Sequence, residues 1–328
     1  MSTSLRDLDL GSIFTSSKVV PDLPPEIFAR RAARGTPEIS FEPAHSNELT
    51  HEYEPGLPSA GWVLGKYRLE RAIGMGGFAA VYRARHVGLG NVVAIKLMRP
   101  SVIRSRPELL RLLAEEARFA AQIDHANVVR VHEVATSNEL TYIVMEHVDG
   151  PDLRVMIKRR GALPYMMVIR ILRHIAAALA AGLAKSLIHR DVKPSNILLT
   201  RAGVTKLADF GLARSSSAAE PTGMPGAVGT AAYMAPEQAS EPKRAGFRSD
   251  IYSLGITAYH ALTGGLPFSD HDPEQLAVAH RTQLVVPPSR FATIPPSLDD
   301  LVMAMMAMRP DDRPASYAAL DAELRAIR

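Results

Sequence analysis

The ten residues LIHRDVKPSN (187–196) place an acid, a base and an amide, Asp191, Lys193 and Asn196, among apolar neighbours. On a helix these three polar side chains would point in different directions, so their spacing favours a loop held between two buried elements. Catalytic residues are commonly carried by loops on a rigid scaffold. The stretch therefore predicts a loop whose three polar side chains face one cavity.

The composition is that of a globular protein large enough for two lobes. Of 328 residues, 47% are hydrophobic and 22% are charged, and the formal net charge of +4 gives no indication of nucleic-acid binding. The absence of cysteine excludes disulfides and suits a reducing, cytoplasmic location. The most apolar run, residues 168–184, is interrupted by Arg170, Arg173 and His174, which predicts a buried amphipathic helix and no membrane anchor.

Residues 1–60 scatter proline, glycine and polar residues without a sustained period, and they predict a mostly disordered N-terminal arm. A solvated tail is the simpler interpretation, and a docking or autoinhibitory segment is the alternative. Residues 61–328 would form one domain of the α+β class. Within it, about 67–148 is predicted as a small β-rich lobe with one helix, and about 149–328 as a larger α-helical lobe.

The segment IGMGGFAAVY (73–82) contains Gly74, Gly76 and Gly77, which let a backbone approach phosphates closely. A dinucleotide fingerprint would open a helix at this point, whereas here a second strand follows. The nearby GWVLGK (61–66) has one residue too few between its glycines for a P-loop. A glycine-rich turn between two strands, followed by VVAIK (92–96), matches the arrangement of protein kinases.

From about residue 67 to residue 328 the sequence resembles the eukaryotic-like (Hanks-type) bacterial serine/threonine protein kinases. The resemblance implies a bilobal kinase fold that binds ATP together with Mg²⁺, or Mn²⁺ in its place. Ala79 stands where the family has its third glycine, and we expect a slightly stiffer loop that still binds nucleotide.

The resemblance also implies a nucleotide site. Lys96 would hold the α- and β-phosphates, paired with a glutamate of the following helix, for which Glu116 is favoured over Glu115; the alternative is a surface lysine whose stem packs on apolar residues. Met145 would be the gatekeeper, the Glu146 carbonyl and Val148 amide would face adenine, and Asp152 the ribose. The other expected nucleotide contacts are Ile73, Gly74, Gly76, Gly77, Val81, Ala94 and Leu198.

The same resemblance assigns the chemistry of the opening stretch. Asp191 would orient the substrate hydroxyl and accept its proton, Lys193 would stabilise the moving phosphoryl group, and Asn196 would ligate magnesium. In ADFG (208–211), Asp209 would bridge magnesium to the β- and γ-phosphates. Positioning and charge neutralisation would supply most of the rate.

The segment GTAAYMAPEQ (229–238) resembles the serine/threonine-specific form of the substrate platform, through Thr230. Glu237 would pair with Arg313, and Asp250 would hold the backbone of the catalytic loop; both roles are architectural. Arg190, before the proposed base, implies activation by loop phosphorylation. The candidate hydroxyls are Ser215, Ser216, Ser217 and Thr222, of which Thr222 is favoured, unless this is only a polar loop.

The expected partners are protein substrates, without nucleic acid or membrane, and the sequence leaves open whether two copies pair for trans-autophosphorylation. One rival interpretation is a pseudokinase scaffold, which the presence of every expected catalytic residue opposes. Another is a small-molecule phosphotransferase such as an aminoglycoside kinase. The KPSN and APE segments (193–196 and 235–237) oppose this second rival, because they indicate a platform for a protein substrate.

Overall fold

The computed structural model describes residues 56–77, 79–210, 231–268, 280 and 285–328, without the side chains of Leu112, Leu113, Glu116 and Pro242. The predictions made for residues 1–55, for Thr230 and for the four activation-loop hydroxyls lie outside these residues. So does the predicted contact between Lys96 and Glu116.

The N-terminal lobe is built on a six-stranded sheet with the order β1-β2-β3-β4-β6-β5, in which all neighbouring strands are antiparallel. Its strands are β1 (Val63–Leu64), β2 (Tyr67–Met75), β3 (Ala79–His86), β4 (Val92–Met98), β5 (Val131–Ser137) and β6 (Leu140–Glu146). Helices α1 (Pro100–Ser105) and α2 (Glu108–Ala120) lie between β4 and β5 in the chain.

Alternation along the strands gives this sheet two different faces. On β3 and β4, Tyr82 and Ile95 enter the lobe's own core, whereas Val81 and Ala94 join a separate cluster on the opposite face. Leu57 is also part of the lobe's core, so packing of the chain begins before the predicted domain boundary at residue 61.

The C-terminal lobe is mainly helical, as predicted, and contains a two-stranded sheet. Its larger elements are α3 (Leu153–Arg160), α4 (Tyr165–Leu183), β7 (Ile197–Leu199), β8 (Thr205–Leu207), α5 (Pro236–Ser240), α6 (Phe247–Thr263), α7 (Pro296–Met305) and α8 (Tyr317–Ala326). Among the described residues, α4 alone is long and apolar enough to cross a membrane, but half of its apolar window is buried in the lobe. It contacts α6 and α8 there, which makes it a core helix.

The two lobes are tied together next to β8. The Val129 N–H donates to the Leu207 carbonyl at 2.9 Å. Lys206 of β8 pairs with Glu146 at the end of β6, with a nitrogen–oxygen distance of 3.0 Å. Because Asp209 follows β8 directly, these contacts position it relative to the N-terminal lobe.

Candidate active site

Six of the predicted nucleotide-binding residues lie in a single apolar cluster. Ile73, Val81, Ala94, Met145, Val148 and Leu198 pack there with Val129 and Ala208. They come from both lobes, so the cluster forms only when the lobes are assembled. A cluster with this composition has the apolar character expected of a nucleobase site.

The glycine-rich turn joins β2 to β3 above this cluster. Gly74 lies opposite Val81 in the strand register, and the Gly76 N–H donates to the Ala79 carbonyl at 2.9 Å. Ala79 is buried against α1 and α2, in a cluster with Val102 and Ala117. The alanine that replaces the family's third glycine therefore has a packing role, because its methyl group packs in this cluster.

Lys96 and Asp209 form an ion pair with a distance of 2.8 Å between Nζ and Oδ1. Burial would raise the pKa of Asp209, but the charge of Lys96 and its hydrogen bond outweigh burial and lower that pKa. Asp209 has a φ of 62°, a left-handed conformation that is uncommon outside glycine. The two side chains line one cavity together with Met145 and Phe210.

Helix α2 carries the two glutamates that compete for Lys96. Glu115 accepts a hydrogen bond from Arg111 Nε at 2.9 Å, on the exposed side of the helix. Glu115 is thus engaged away from the cleft, and the Lys96–Glu116 pair stays a prediction.

The opening stretch folds as the loop that its spacing predicts. Lys193 Nζ lies 2.8 Å from Asp191 Oδ2. Asn196 Nδ2 donates to the Asp191 carbonyl at 2.8 Å and to Asp191 Oδ2 at 3.0 Å. A single 3₁₀ turn, Pro194–Asn196, brings the amide back towards the acid. The acid, base and amide are therefore neighbours.

Asn196 also lies beside the Asp209 segment, since its carbonyl accepts from the Ala208 N–H at 2.8 Å. Within the described part of the chain, no three His, Cys, Asp or Glu side chains group as a metal site. Mg²⁺ at phosphoryl-transfer sites is typically held by one or two carboxylates, waters and the substrate's own phosphates. The donor set of Asp209 and Asn196 fits that requirement.

A fully buried carboxylate, Asp250 of α6, supports the loop from below. It accepts from the N–H groups of His189 at 2.9 Å and Arg190 at 2.6 Å, as predicted. Burial raises the pKa of Asp250. The two hydrogen bonds and the nearby His189 act in the opposite direction, but burial has the larger effect. Tyr317 of α8 donates to the same carboxylate at 3.2 Å. The tyrosine was missed from the sequence, because nothing in its local pattern distinguishes it from a core aromatic residue.

His189 is buried beneath the site. Its Nε2 lies 2.9 Å from the Ala208 carbonyl, and its ring packs edge-on against Phe210 at 4.8 Å. Phe210 approaches Gly182 of α4 so closely that a Cβ there would lie 2.3 Å from its ring. A lone glycine inside an apolar helix was the available signal, because glycine is disfavoured at helix interiors without a packing reason.

Glu237 and Arg313 form the predicted buried ion pair. Two parallel contacts of 2.6 and 2.9 Å join them, and Ser249 donates to Glu237 at 2.7 Å. Burial would raise the pKa of Glu237, but the Arg313 and Ser249 hydrogen bonds and the Arg313 charge lower it overall. The short helix α5 is therefore anchored to the C-terminal lobe.

The segment that connects the two lobes, residues 146–152, carries three of the predicted nucleotide contacts. Asp152 caps α3, with its Oδ1 accepting from the Val155 N–H at 2.7 Å, while Arg154 lies 3.5 Å from Oδ2. Its carboxylate thus has a structural function that the resemblance did not indicate. The contact of Asp152 with ribose, and those of the Glu146 carbonyl and Val148 amide with adenine, stay predictions.

A small β-sheet lobe and a larger helical lobe, with the Lys96–Asp209 cavity between them, form the architecture of protein kinases. The family model described as "Protein kinase domain" matches residues 67–324, and the chain belongs to that family. The predicted fold and the predicted resemblance are therefore confirmed.

Curated relatives place the chain near bacterial serine/threonine kinases. It is 37% identical over 268 residues to serine/threonine-protein kinase Pkn1 of Myxococcus xanthus, covering 80% of this chain and 38% of Pkn1. It is 37% identical over 265 residues to PknL of Mycobacterium tuberculosis, covering 80% of this chain and 65% of PknL. The chain thus spans less than two thirds of these relatives' length. Among solved structures, the PknI kinase domain of Mycobacterium tuberculosis aligns with a TM-score of 0.64 and 27% identity, covering 82% of this chain and 98% of that one.

Proposed function

We propose that this chain transfers the γ-phosphoryl group of ATP to serine and threonine hydroxyls of protein substrates, including its own activation segment. One observation carries the proposal: the Asp191–Lys193–Asn196 loop lies beside the segment whose Asp209 pairs with Lys96. The names of the curated relatives support the serine/threonine class.

Each side chain has a role that its surroundings allow. Asp191 is the group that orients the acceptor hydroxyl and takes its proton, and Lys193 Nζ lies 2.8 Å from its Oδ2. Lys193 can then stabilise charge on the transferring phosphoryl group. Lys96, only 12% exposed, offers a fixed cation for the α- and β-phosphates.

Asp209 and Asn196 are the residues that would hold Mg²⁺. When bound, the ion supplies charge neutralisation of the phosphates. The lowered pKa of Asp209 keeps its carboxylate ionised, and therefore able to act as a ligand, at neutral pH. The nucleobase would lie in the apolar cluster that contains Val81, Ala94 and Leu198.

The test compares the parent chain with Asp191→Asn, using γ-labelled ATP, Mg²⁺ and myelin basic protein as acceptor. We expect the parent to label the acceptor and itself, with the self-label mapped by mass spectrometry to Thr222 or to the serines at 215, 216 and 217. The variant should lose roughly 10²–10⁴-fold in rate, since it lacks a proton acceptor. Asp311→Asn, at a carboxylate 80% exposed, is the matched control and should keep the parent rate.

Two results would contradict the proposal in different ways. Equal labelling by the parent and Asp191→Asn would remove the assignment of Asp191. A parent chain that neither binds ATP nor transfers its phosphate would favour the scaffold interpretation.

A further inference from the structure

Gln238, the third residue of α5, forms a bridge between this helix and the catalytic loop. Its Nε2 donates to the Arg190 carbonyl at 2.9 Å. Its Oε1 accepts from the N–H of Ala235, the residue before the helix, at 3.3 Å. One carboxamide therefore serves as both donor and acceptor, which an ionised carboxylate of similar shape cannot do.

The backbone that Gln238 contacts is held in an unusual conformation. Arg190 has a φ of 64°, in the left-handed region, which a residue with a side chain adopts only when its surroundings enforce it. Its N–H donates to Asp250 at 2.6 Å and its carbonyl accepts from Gln238 at 2.9 Å. Both backbone polar groups of Arg190 are therefore hydrogen-bonded.

These contacts bear directly on the proposed base. The Arg190 carbonyl and the Asp191 N–H belong to one planar peptide group, so fixing the carbonyl fixes the plane that precedes the Asp191 Cα. The Asp191 N–H lies in the same plane, points away from the carbonyl and donates to His189 Nδ1 at 3.3 Å. Among the described residues, this long contact is the other hydrogen bond of that peptide group, so loss of the Gln238 bond would leave the peptide less restrained.

We propose that Gln238 is a positioning residue for Asp191: it sets the orientation of the peptide from which the base projects. Because α5 is anchored through Glu237 and Arg313, the bridge also couples the substrate platform to the base. The inference rests on the proposed function, since it deepens the role assigned to Asp191. A displacement of reacting groups by about 1 Å can cost on the order of 100-fold in rate.

The variant Gln238→Glu separates this role from a helix-capping one. The glutamate keeps an oxygen for the Ala235 N–H, but when ionised it presents no hydrogen to the Arg190 carbonyl. We expect a roughly 10- to 100-fold lower single-turnover rate with myelin basic protein as acceptor. The dissociation constant for ATP and the thermal midpoint should match those of the parent. Gln238→Met, which removes both bonds, should show the same loss of rate.

Ser240→Ala is the matched control, because its hydroxyl donates only to the Pro236 carbonyl within α5, at 3.0 Å. It should keep the parent rate. A parent-like rate in Gln238→Glu would overturn the inference, and so would a loss of rate matched by losses of ATP affinity and thermal stability. A parent chain without transferase activity would instead remove the proposed function, so the two failures are distinguishable.

Discussion

Lys96 and Asp209 are 113 positions apart in the chain, yet their side chains meet at 2.8 Å across the cleft. The lysine belongs to β4 of the N-terminal lobe, and the aspartate follows β8 of the C-terminal lobe. The ion pair therefore joins the two lobes, at the position proposed above for the phosphates of ATP.

Lys96→Met should lower the rate of phosphoryl transfer by at least about 100-fold, because it removes a preorganised cation from a partly enclosed site. The measurement is the single-turnover rate with labelled ATP. Lys185→Met changes an exposed lysine of the C-terminal lobe and should leave the rate as in the parent. A parent-like rate in Lys96→Met would show that the nucleotide phosphates do not depend on this cation.

Arg313→Met should lower the free energy of unfolding by about 3–5 kcal/mol. The side chain of Arg313 is 0% exposed, and its loss would leave the Glu237 carboxylate largely buried without its cation. Urea denaturation measures this change. The double variant with Glu237→Gln should be less destabilised than the sum of the single changes, because it removes the uncompensated charge. Strict additivity would mean that the pair contributes no coupling.

Gly182→Ala should impair activity more than stability. The added Cβ would lie 2.3 Å from the Phe210 ring, so the ring must move, and with it the backbone next to Asp209. Overpacking of this kind costs roughly 1–3 kcal/mol, which a stable domain survives. We expect a folded protein with a transfer rate lowered at least about 10-fold, since Asp209 would be misplaced. Ala180→Ser, on the exposed side of the same helix, is the control; equal rates in both variants would contradict the prediction.

His280 should make the fold acid-sensitive. Burial lowers its pKa from 6.5 to about 4, and its Nδ1 lies 2.6 Å from the Tyr252 hydroxyl. The unfolded chain binds a proton below about pH 6.5 while the folded chain does not, so stability falls as the pH falls towards 4. From pH 6.5 to pH 5 the loss from this group is about 1.6 kcal/mol. Denaturation at both pH values should show a smaller loss in His280→Asn, and an identical loss would disprove the assignment.

Much of the site was predictable because the spacing of a motif is a local property. The order of polar groups in 187–196 predicted the loop, and the family resemblance implied that Val81 and Ala94 contact the nucleotide. Gly182 and Gln238 were not predicted, because their importance comes from Phe210 and Arg190, residues that are distant in the chain. The capping function of Asp152 was missed for another reason. The family pattern gives the residue at this position, but it does not show which group the carboxylate contacts.

The order of residues along this chain specifies which chemical groups are present and which segments become strands or helices, since propensity and periodicity act over a few residues. Tertiary packing selects which groups meet. It brings Lys96 to Asp209 across the two lobes, and it holds Arg190 between Asp250 and Gln238 within the C-terminal lobe. These pairings depend on distances between elements that approach one another only when the apolar faces are buried together, and no local pattern encodes such distances.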